Sequence, residues 1–224
     1  MKRYIVSDIH TGNDVTDYNK VMAFLELVDQ DADELLILGD WMELLWSNFN
    51  IVSKVEPYSS TIVKIRQIAS RKPVKAVLGN HDWNLGFFAS HIEPVEIIEP
   101  FSEGGVYYTH GSQWDWVSVI LGTPVDPIWW SQAMPFVFPT QFFLWLAAKV
   151  WAGAEDEYYW GIAYIHERAR AYAMQNGYHT VVFGHTHFPS EEYRGGVRLY
   201  NSGDFVDSFS YLTEEDGIIN LRFL

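Results

Sequence analysis

The stretch VFGHTHFP, residues 182–189, places two imidazoles one residue apart directly after an apolar run. Side chains two positions apart in an extended chain point to the same side, so His185 and His187 can reach one site. The same spacing occurs near the N-terminus, where Asp8 and His10 follow the run RYIVS. These pairs suit metal ligation, because imidazole nitrogens and carboxylate oxygens are common ligands of divalent metals.

Other residues of metal-ligand type also stand directly after apolar runs. The full candidate set is Asp8, His10, Asp40, Asn80, His110, His185 and His187. These residues exceed what one four- to six-coordinate ion uses, which predicts two divalent ions with the Asp40 carboxylate able to bridge them. A ligand set of nitrogen and oxygen without sulfur favours transition metals, and we expect Mn first, with Fe, Zn, Co or Ni as alternatives.

Two residues of the segment LGNHD, His81 and Asp82, remain outside this ligand set. A pair of metal ions lowers the pKa of a bound water and neutralises charge on phosphate oxygens, which is the chemistry of phosphate ester hydrolysis. We predict that His81 donates a proton to the leaving oxygen and that Asp82 orients it. Glu43 can orient a ligand from outside the metal shell, or it can be an ordinary helix-start carboxylate.

The candidate residues are positioned by alternating strands and helices. Apolar patterns predict strands at 3–8, 34–40, 73–82, 105–111 and 179–187, and helices at 17–29, 57–72 and 156–176. Residues 196–212 and 217–224 alternate like antiparallel strands. This order predicts a layered α/β fold, in which ligands gather at the ends of the strands.

Composition narrows the classes of function. The chain has 224 residues, 48% of them apolar, which predicts a single domain over 1–224 with a substantial core. Its 29 acidic and 15 basic residues give a formal charge of −14, which opposes binding to nucleic acid backbones. Without cysteine there is no disulfide or thiolate site. The N-terminus does not have the pattern of a secretory signal, so we expect a cytoplasmic protein.

Residues 113–152 are unusually aromatic and hold six of the ten tryptophans. From Pro127 to Ala148 there is no charged residue, a length that suits a membrane span. Pro135 and Pro139 interrupt that length and disfavour a span. We predict an inserted helical lid at about 113–176. The aromatic part could pack on the core, form a homo-oligomer interface or make peripheral contact with a membrane.

The predicted helix 156–176 carries three polar residues of interest. His166 lies beside the apolar face of this helix, and we interpret it as structural. Arg168 and Arg170 are candidates for binding a substrate phosphate, with solvated surface charge as the alternative.

Five short blocks, DIH, GD, GNHD, HG and GHTH, appear in this order between positions 8 and 187. In this combination the chain resembles the calcineurin-like metallophosphoesterase superfamily. The resemblance implies a four-layer α/β/β/α sandwich of two mixed sheets. It also implies two metal sites, one held by Asp8, His10, Asp40 and His187 and the other by Asp40, Asn80, His110 and His185.

Two further segments, GDWMELLW and NSGDFVDSFSYL, are similar to the branch that contains UDP-diacylglucosamine pyrophosphohydrolase. That branch has a helical lid inserted between the last two blocks, where residues 113–152 fall in this chain. It carries Arg in place of His81 and Asp in place of Ser112, so the resemblance leaves the substrate open.

These observations favour a dinuclear hydrolase of phosphate ester or pyrophosphate bonds that acts on a small, nucleotide-linked or lipid-linked substrate. A metal-dependent nuclease or cyclic nucleotide phosphodiesterase is the enzymatic alternative. The acidic charge and the lack of a basic, aromatic-interleaved groove disfavour a nuclease. A non-catalytic scaffold that keeps the fold is the third hypothesis.

Overall fold

Two mixed β-sheets form the centre of the computed structural model, which describes residues 1–115 and 155–224. The first sheet contains β1 (Lys2–Val6), β2 (Glu34–Leu38), β3 (Val74–Val77), β4 (Glu96–Ile98), β10 (Ser210–Glu215) and β11 (Ile218–Phe223). Its strands follow the order β11-β10-β1-β2-β3-β4. β1 to β4 run parallel, whereas β10 and β11 pair antiparallel, as predicted for the C-terminal segments.

The second sheet contains β5 (Phe101–Glu103), β6 (Val106–Tyr108), β7 (Thr180–Phe183), β8 (Ser190–Arg194) and β9 (Val197–Asn201). Its order is β5-β6-β7-β9-β8, with β6, β7 and β9 parallel to one another. The predicted strand region 196–212 therefore divides between the sheets. β9 joins the second sheet beside β7, and β10 joins the first beside β1.

The described part of the chain contains the helices α1 (Tyr18–Asp31), α2 (Phe49–Lys54), α3 (Tyr58–Ala69), α4 (Ala89–Ile92) and α5 (Glu155–Asn176). α1 begins after Asp17, whose side chain accepts hydrogen bonds from the backbone amides of Asn19 and Lys20. α1 and α3 match the predicted helices closely. α2 and α4 are short and were not predicted.

Alternation along the central strands explains why those strands are apolar at almost every position. In β1, Tyr4 and Val6 pack with α1 and α3, whereas Ile5 faces the second sheet. In β7, Val182 faces the first sheet, and Val181 and Phe183 face α5. Successive side chains of a strand point to opposite faces, so a strand covered on both faces has no polar side.

The apolar residues form three cores that separate four layers. One core lies between the helices α1 and α3 and the first sheet, the second lies between the two sheets, and the third lies between the second sheet and α5. The arrangement is an α/β/β/α sandwich, which confirms the fold implied by the resemblance to the metallophosphoesterase superfamily. Both faces of each sheet are therefore buried, so a functional site that is open to solvent must lie at the ends of the strands.

α5 is part of this sandwich rather than of a separate lid. Ile165, Ala169 and Ala173 are buried against the second sheet together with Trp114. The predicted lid at about 113–176 is therefore too long at both ends. The predicted hairpin, membrane surface or oligomer interface falls mainly on 116–154, which lies outside the described residues. Among the described helices, none has the length and apolar character needed to cross a membrane.

Candidate metal centre

The loops that follow β1, β2, β3, β6 and β7 meet at one edge of the sandwich. They bring all seven predicted ligands into one centre, where Asp and His side chains form three overlapping groups. The first group contains Asp8, His10 and His187, the second contains Asp40, His110 and His185, and the third joins His10 and Asp40 to His81. Within each group the ligand atoms lie within 4.8 Å of one another.

The first group joins the loop after β1 to the loop after β7. His10 Nε2 lies 3.2 Å from His187 Nε2, and Asp8 Oδ1 lies 3.2 Å from the same His187 nitrogen. Asp8 and His10 are buried, and the His187 side chain is one-third exposed. Two imidazole nitrogens and a carboxylate oxygen thus converge on one point that is open on the His187 side.

The second group joins the first sheet to the second. His110 Nε2 lies 3.2 Å from Asp40 Oδ2 and 3.1 Å from Asn80 Oδ1. Asp40 Oδ2 also lies 3.9 Å from His10 Nε2, a ligand of the first group. The Asp40 carboxylate therefore lies between the two groups, where a bridging ligand would stand.

The donor geometry fits divalent metal ions. Neighbouring ligands on an ion with bonds of about 2.1 Å lie about 3 Å apart when the bonds meet at right angles. The distances of 3.1 to 3.2 Å in both groups match this value. In addition, the buried Asp8 Oδ1 has no hydrogen-bond partner among the described residues. A buried carboxylate oxygen without a partner is costly unless a ligand satisfies it.

Backbone strain concentrates at the same residues. Asp8, His10, Asp40, His185 and His187 all have positive φ, between 51° and 68°. Only two other non-glycine residues in the described parts of the chain share this conformation. L-residues adopt it at a cost, and such strain clusters at functional sites where the surroundings hold it.

Two glycines allow the loops to approach this closely. Gly39 has φ of +84°, and a Cβ there would lie 2.5 Å from His110 Cγ. A Cβ at Gly79 would overlap Asp40 Oδ1. Both glycines are therefore required by close contact with neighbouring ligands, and Gly39 is required by its backbone conformation as well.

Glu43 connects the first group to His81. Its buried carboxylate lies 3.0 Å from His10 Nδ1 and 2.9 Å from His81 Nδ1. Burial alone would raise the pKa of Glu43, but the hydrogen bonds to both histidines lower it to about 2. The contact with a ligand that the sequence suggested for Glu43 is present, and Glu43 presents His10 Nε2 to the centre.

His81 lies in the same centre, close to His10 and Asp40. Burial lowers the pKa of His81, but the hydrogen bond to Glu43 and the charge of Asp40 outweigh that effect and raise it to about 9. In the metal-free protein His81 is therefore a cation at neutral pH. Its backbone N–H donates to Asp40 Oδ1 over 2.8 Å, which fixes its place beside the ligands.

The structure corrects the role expected for Asp82. Its Oδ1 accepts from the Gly79 amide at 2.7 Å, and its Oδ2 accepts from the Trp41 amide at 2.8 Å. Asp82 is buried and ties the loop after β2 to the loop after β3. The residue that orients the His81 ring is Glu43.

His110 and His185 have partners that the sequence did not predict. His110 Nδ1 lies 2.8 Å from the Leu38 carbonyl, which leaves Nε2 for the centre. His185 Nε2 lies 3.1 Å from Asp115 Oδ2. Asp115 follows a short 3₁₀ turn, Ser112–Trp114, and no periodic pattern in the sequence marks it.

Of the three residues predicted to be of interest on α5, Arg170 lies away from this centre. The Arg170 guanidinium pairs with Glu167 and lies near Gly195 in the β8–β9 turn, at the opposite end of β9 from the ligand loops. Arg168 is exposed. The structure therefore does not support phosphate binding by Arg170, and the role of Arg168 stays a prediction. His166 is buried and its Nδ1 lies 3.0 Å from Glu192 Oε1, in keeping with a structural role.

Comparison with known proteins identifies the family to which this fold and ligand set belong. Residues 1–189 match the family model of the calcineurin-like phosphoesterases, and the chain belongs to that family. Members of this family use divalent metal ions, in agreement with the His and Asp groups described above.

Individual relatives are distant. UDP-2,3-diacylglucosamine hydrolase of Shewanella sp. (strain MR-4) is 32% identical over 88 residues, which cover 38% of this chain and 35% of that protein. Among solved structures, the phosphoesterase Yfce from E. coli is 20% identical with a TM-score of 0.53, over 100% of this chain and 93% of that chain. An archaeal phosphodiesterase is 15% identical with a TM-score of 0.52, over 100% of both chains. These two structures establish the shared fold.

Proposed function

We propose that this protein hydrolyses a phosphate ester or pyrophosphate bond at a centre of two divalent metal ions. The observation that carries the proposal is the convergence of two ligand groups on the Asp40 carboxylate. Two ions in such a centre supply an activated water and neutralise charge on the phosphate oxygens. The proposed ligands are Asp8, His10 and His187 for one ion, Asn80, His110 and His185 for the other, and Asp40 for both.

The nature of the ligands guides the choice of metal. Histidine nitrogens occur beside carboxylate and amide oxygens, and the chain contains no cysteine. We propose Mn as the native metal, with Fe, Zn, Co or Ni able to occupy the same ligands.

His81 is the proposed general acid. Glu43 engages its Nδ1, so Nε2 is the nitrogen that can donate a proton to the leaving oxygen. Glu43 also contacts His10 Nδ1, so one carboxylate orients both the proposed proton donor and a proposed metal ligand.

The organic part of the substrate has space beside Glu43. A cavity of about 420 Å³ lies there, with Trp46, Ile51 and Tyr58 among its lining residues. Trp46 and Ile51 are 55% and 43% exposed, which gives the cavity apolar surface that a ligand can cover. Together with the limited similarity to a UDP-2,3-diacylglucosamine hydrolase, this supports an amphiphilic or nucleotide-linked phosphate substrate. A cytoplasmic location and membrane or oligomer contact through 113–152 remain predictions.

Two measurements test the proposal. Elemental analysis after dialysis against excess Mn should give close to two ions per chain. A screen of phosphomonoesters, phosphodiesters, nucleoside diphosphate sugars and lipid pyrophosphates with Mn should then reveal hydrolysis. The matched variant Asp40→Asn should lose both ions and all measurable turnover, because Asp40 is the shared ligand. At most one ion under metal excess would contradict the dinuclear centre. Two bound ions without hydrolysis of any class would favour the scaffold hypothesis.

A further inference from the structure

We propose that Asp115 is a positioning residue that sets the tautomer of His185 and thereby presents His185 Nδ1 to the second metal ion. Asp115 Oδ2 lies 3.1 Å from His185 Nε2. The His185 side chain is 10% exposed and that of Asp115 is 23% exposed, so water competes little for this contact. The inference rests on the proposed metal-binding function.

The position of Asp115 is set by the core. It follows the 3₁₀ turn Ser112–Trp114, and Trp114 is buried against α5 and the second sheet. The Gln113 side chain secures the same turn by accepting from the Gly111 amide and donating to Thr109 Oγ1. Asp115 is therefore held by packed elements on its N-terminal side.

The geometry distinguishes a positioning residue from a direct ligand. Two ligand atoms on one ion can be no farther apart than twice a bond length, about 4.2 to 4.4 Å. Within the described residues, Asp115 belongs to none of the groups whose ligand atoms lie within 4.8 Å of one another. His185 does belong to such a group, with Asp40 and His110. Asp115 thus contacts the ligand and stands outside the ligand shell.

The contact determines which nitrogen of His185 is available. A neutral imidazole carries one N–H, and a carboxylate accepts a hydrogen bond and cannot donate one. The proton of His185 therefore lies on Nε2, and the lone pair lies on Nδ1. This is the reverse of His10 and His110, whose Nδ1 atoms face Glu43 and the Leu38 carbonyl. The second site would thus combine imidazoles of opposite tautomers.

The backbone hydrogen bond of His185 does not determine which ring nitrogen carries the proton. The His185 amide donates to Asp8 Oδ2 over 2.9 Å, which fixes the main chain but leaves the ring nitrogens undefined. A carboxylate on the distal nitrogen of a ligating histidine also raises its basicity, and loss of such a partner costs roughly 10- to 100-fold in metal affinity.

The test compares Asp115→Ala, Asp115→Asn and the control Gln113→Ala. The control disturbs the same turn without touching His185. Zn²⁺ affinity is measured by competition with a chelator, and long-range ¹H–¹⁵N spectra of the Zn²⁺-loaded protein report the tautomer of each histidine. His185→Gln identifies the His185 signals.

We expect wild-type His185 to carry its proton on Nε2. Asp115→Ala should weaken one of two Zn²⁺ sites by roughly 10- to 100-fold, and Asp115→Asn should recover much of the loss because its amide oxygen still accepts. Gln113→Ala should keep both sites. A proton on His185 Nδ1, or an unchanged Zn²⁺ affinity in Asp115→Ala, would overturn this inference while leaving the metal centre intact. Failure of the wild-type protein to bind two Zn²⁺ ions would instead defeat the proposed function.

Discussion

Arg3, at the amino-terminal end of β1, is buried between the sheets and has a carboxylate for each guanidinium nitrogen. Its Nε contacts Glu34 at 2.5 Å, Nη1 contacts Glu214 at 2.9 Å and Nη2 contacts Glu103 at 3.0 Å. At the other end of the same strand, Asp8 is equally buried, but its Oδ1 has no hydrogen-bond partner among the described residues. At the Arg3 end of β1, here called the complete end, each charged atom of the guanidinium has a carboxylate partner. At the Asp8 end, here called the incomplete end, one carboxylate oxygen lacks a hydrogen-bond partner in the part of the chain that the structure describes.

The difference separates a structural charge cluster from a ligand site. A buried ion pair persists when each charged atom has a partner, as it does around Arg3. Around Asp8, two imidazole nitrogens and a carboxylate oxygen face one another at 3.2 Å without complementary protons for all of them. Such an arrangement needs added positive charge, either a proton on an imidazole or a cation at the shared point. Burial of charge thus points to function only where partners are missing.

The largest expected effect concerns His81, the proton donor at the incomplete end. His81→Ala should lower turnover by roughly 10²- to 10⁴-fold, because a general acid contributes that much. Both metal ions should remain, since His81 is not a proposed ligand. The loss should be smaller for p-nitrophenyl esters, whose leaving group needs less protonation.

His91→Ala is the matched control for this variant. His91 is exposed on α4 and packs against Phe49 and Phe88 rather than against a proposed ligand, so turnover and metal content should stay at the wild-type level. Equal losses in His81→Ala for good and poor leaving groups would show that His81 positions the phosphate rather than donating a proton.

The next largest effect concerns Arg3, at the complete end of β1. Its loss should lower the free energy of unfolding and leave metal binding unchanged. Arg3→Met leaves the buried Glu34 without one of its two cations, and breaking a buried pair in this way costs about 3 to 5 kcal/mol. Denaturant unfolding measures the loss, and elemental analysis should still find the wild-type number of ions. Arg71→Met is the control, because Arg71 is half-exposed and its pair with Asp29 is worth at most about 1 kcal/mol. An unchanged unfolding midpoint in Arg3→Met would refute this account.

The ligand set could be predicted because it follows from strands alone. Asp8, Asp40, Asn80, His110 and His185 each stand shortly after a buried apolar run, and parallel strands carry such positions to one edge. The alternation of these strands with helices predicted a layered α/β fold, and the number of layers was implied by the resemblance to the metallophosphoesterase superfamily. These features depend on local pattern, which a sequence displays directly.

The sequence suggested that Glu43 contacts a ligand, but the partners of Glu43, Asp82 and Asp115 could not be predicted in the same way. Glu43 reaches two histidines, Asp82 binds backbone amides of two loops, and Asp115 meets His185 across 70 residues of chain. Each contact depends on the path of an irregular loop, for which the sequence has no period. Arg170 shows the reverse error, since its charge suggested phosphate binding until the direction of α5 placed it near the β8–β9 turn.

The smallest expected effect concerns the protonation of the histidines at the incomplete end. In the metal-free protein, protons on these histidines balance carboxylate charge that metal ions would otherwise balance. Burial lowers the pKa of His110, but Asp40 outweighs it and raises the pKa to about 10. Asp8 likewise raises the pKa of His187 against the effect of burial. In the metal-free protein His110 is therefore charged at neutral pH and forms an ion pair with Asp40. The stabilising contribution of His110 is fully present below pH 6.5, the ordinary histidine value, and is lost as pH rises through about 10.

Metal binding must therefore displace a proton from His110. We expect proton release at pH 7, measured by calorimetry of Mn²⁺ binding in two buffers of different ionisation enthalpy, and an affinity for Mn²⁺ that falls as pH decreases. The metal-free protein should also lose stability between pH 8 and about 10, whereas the loaded protein should not. Arg3→Met, altered only at the complete end, should release the same number of protons as wild type. Mn²⁺ binding without proton release would mean that His110 is neutral before the metal arrives, and the contrast between the two ends of β1 would then lie in hydrogen bonding rather than in charge.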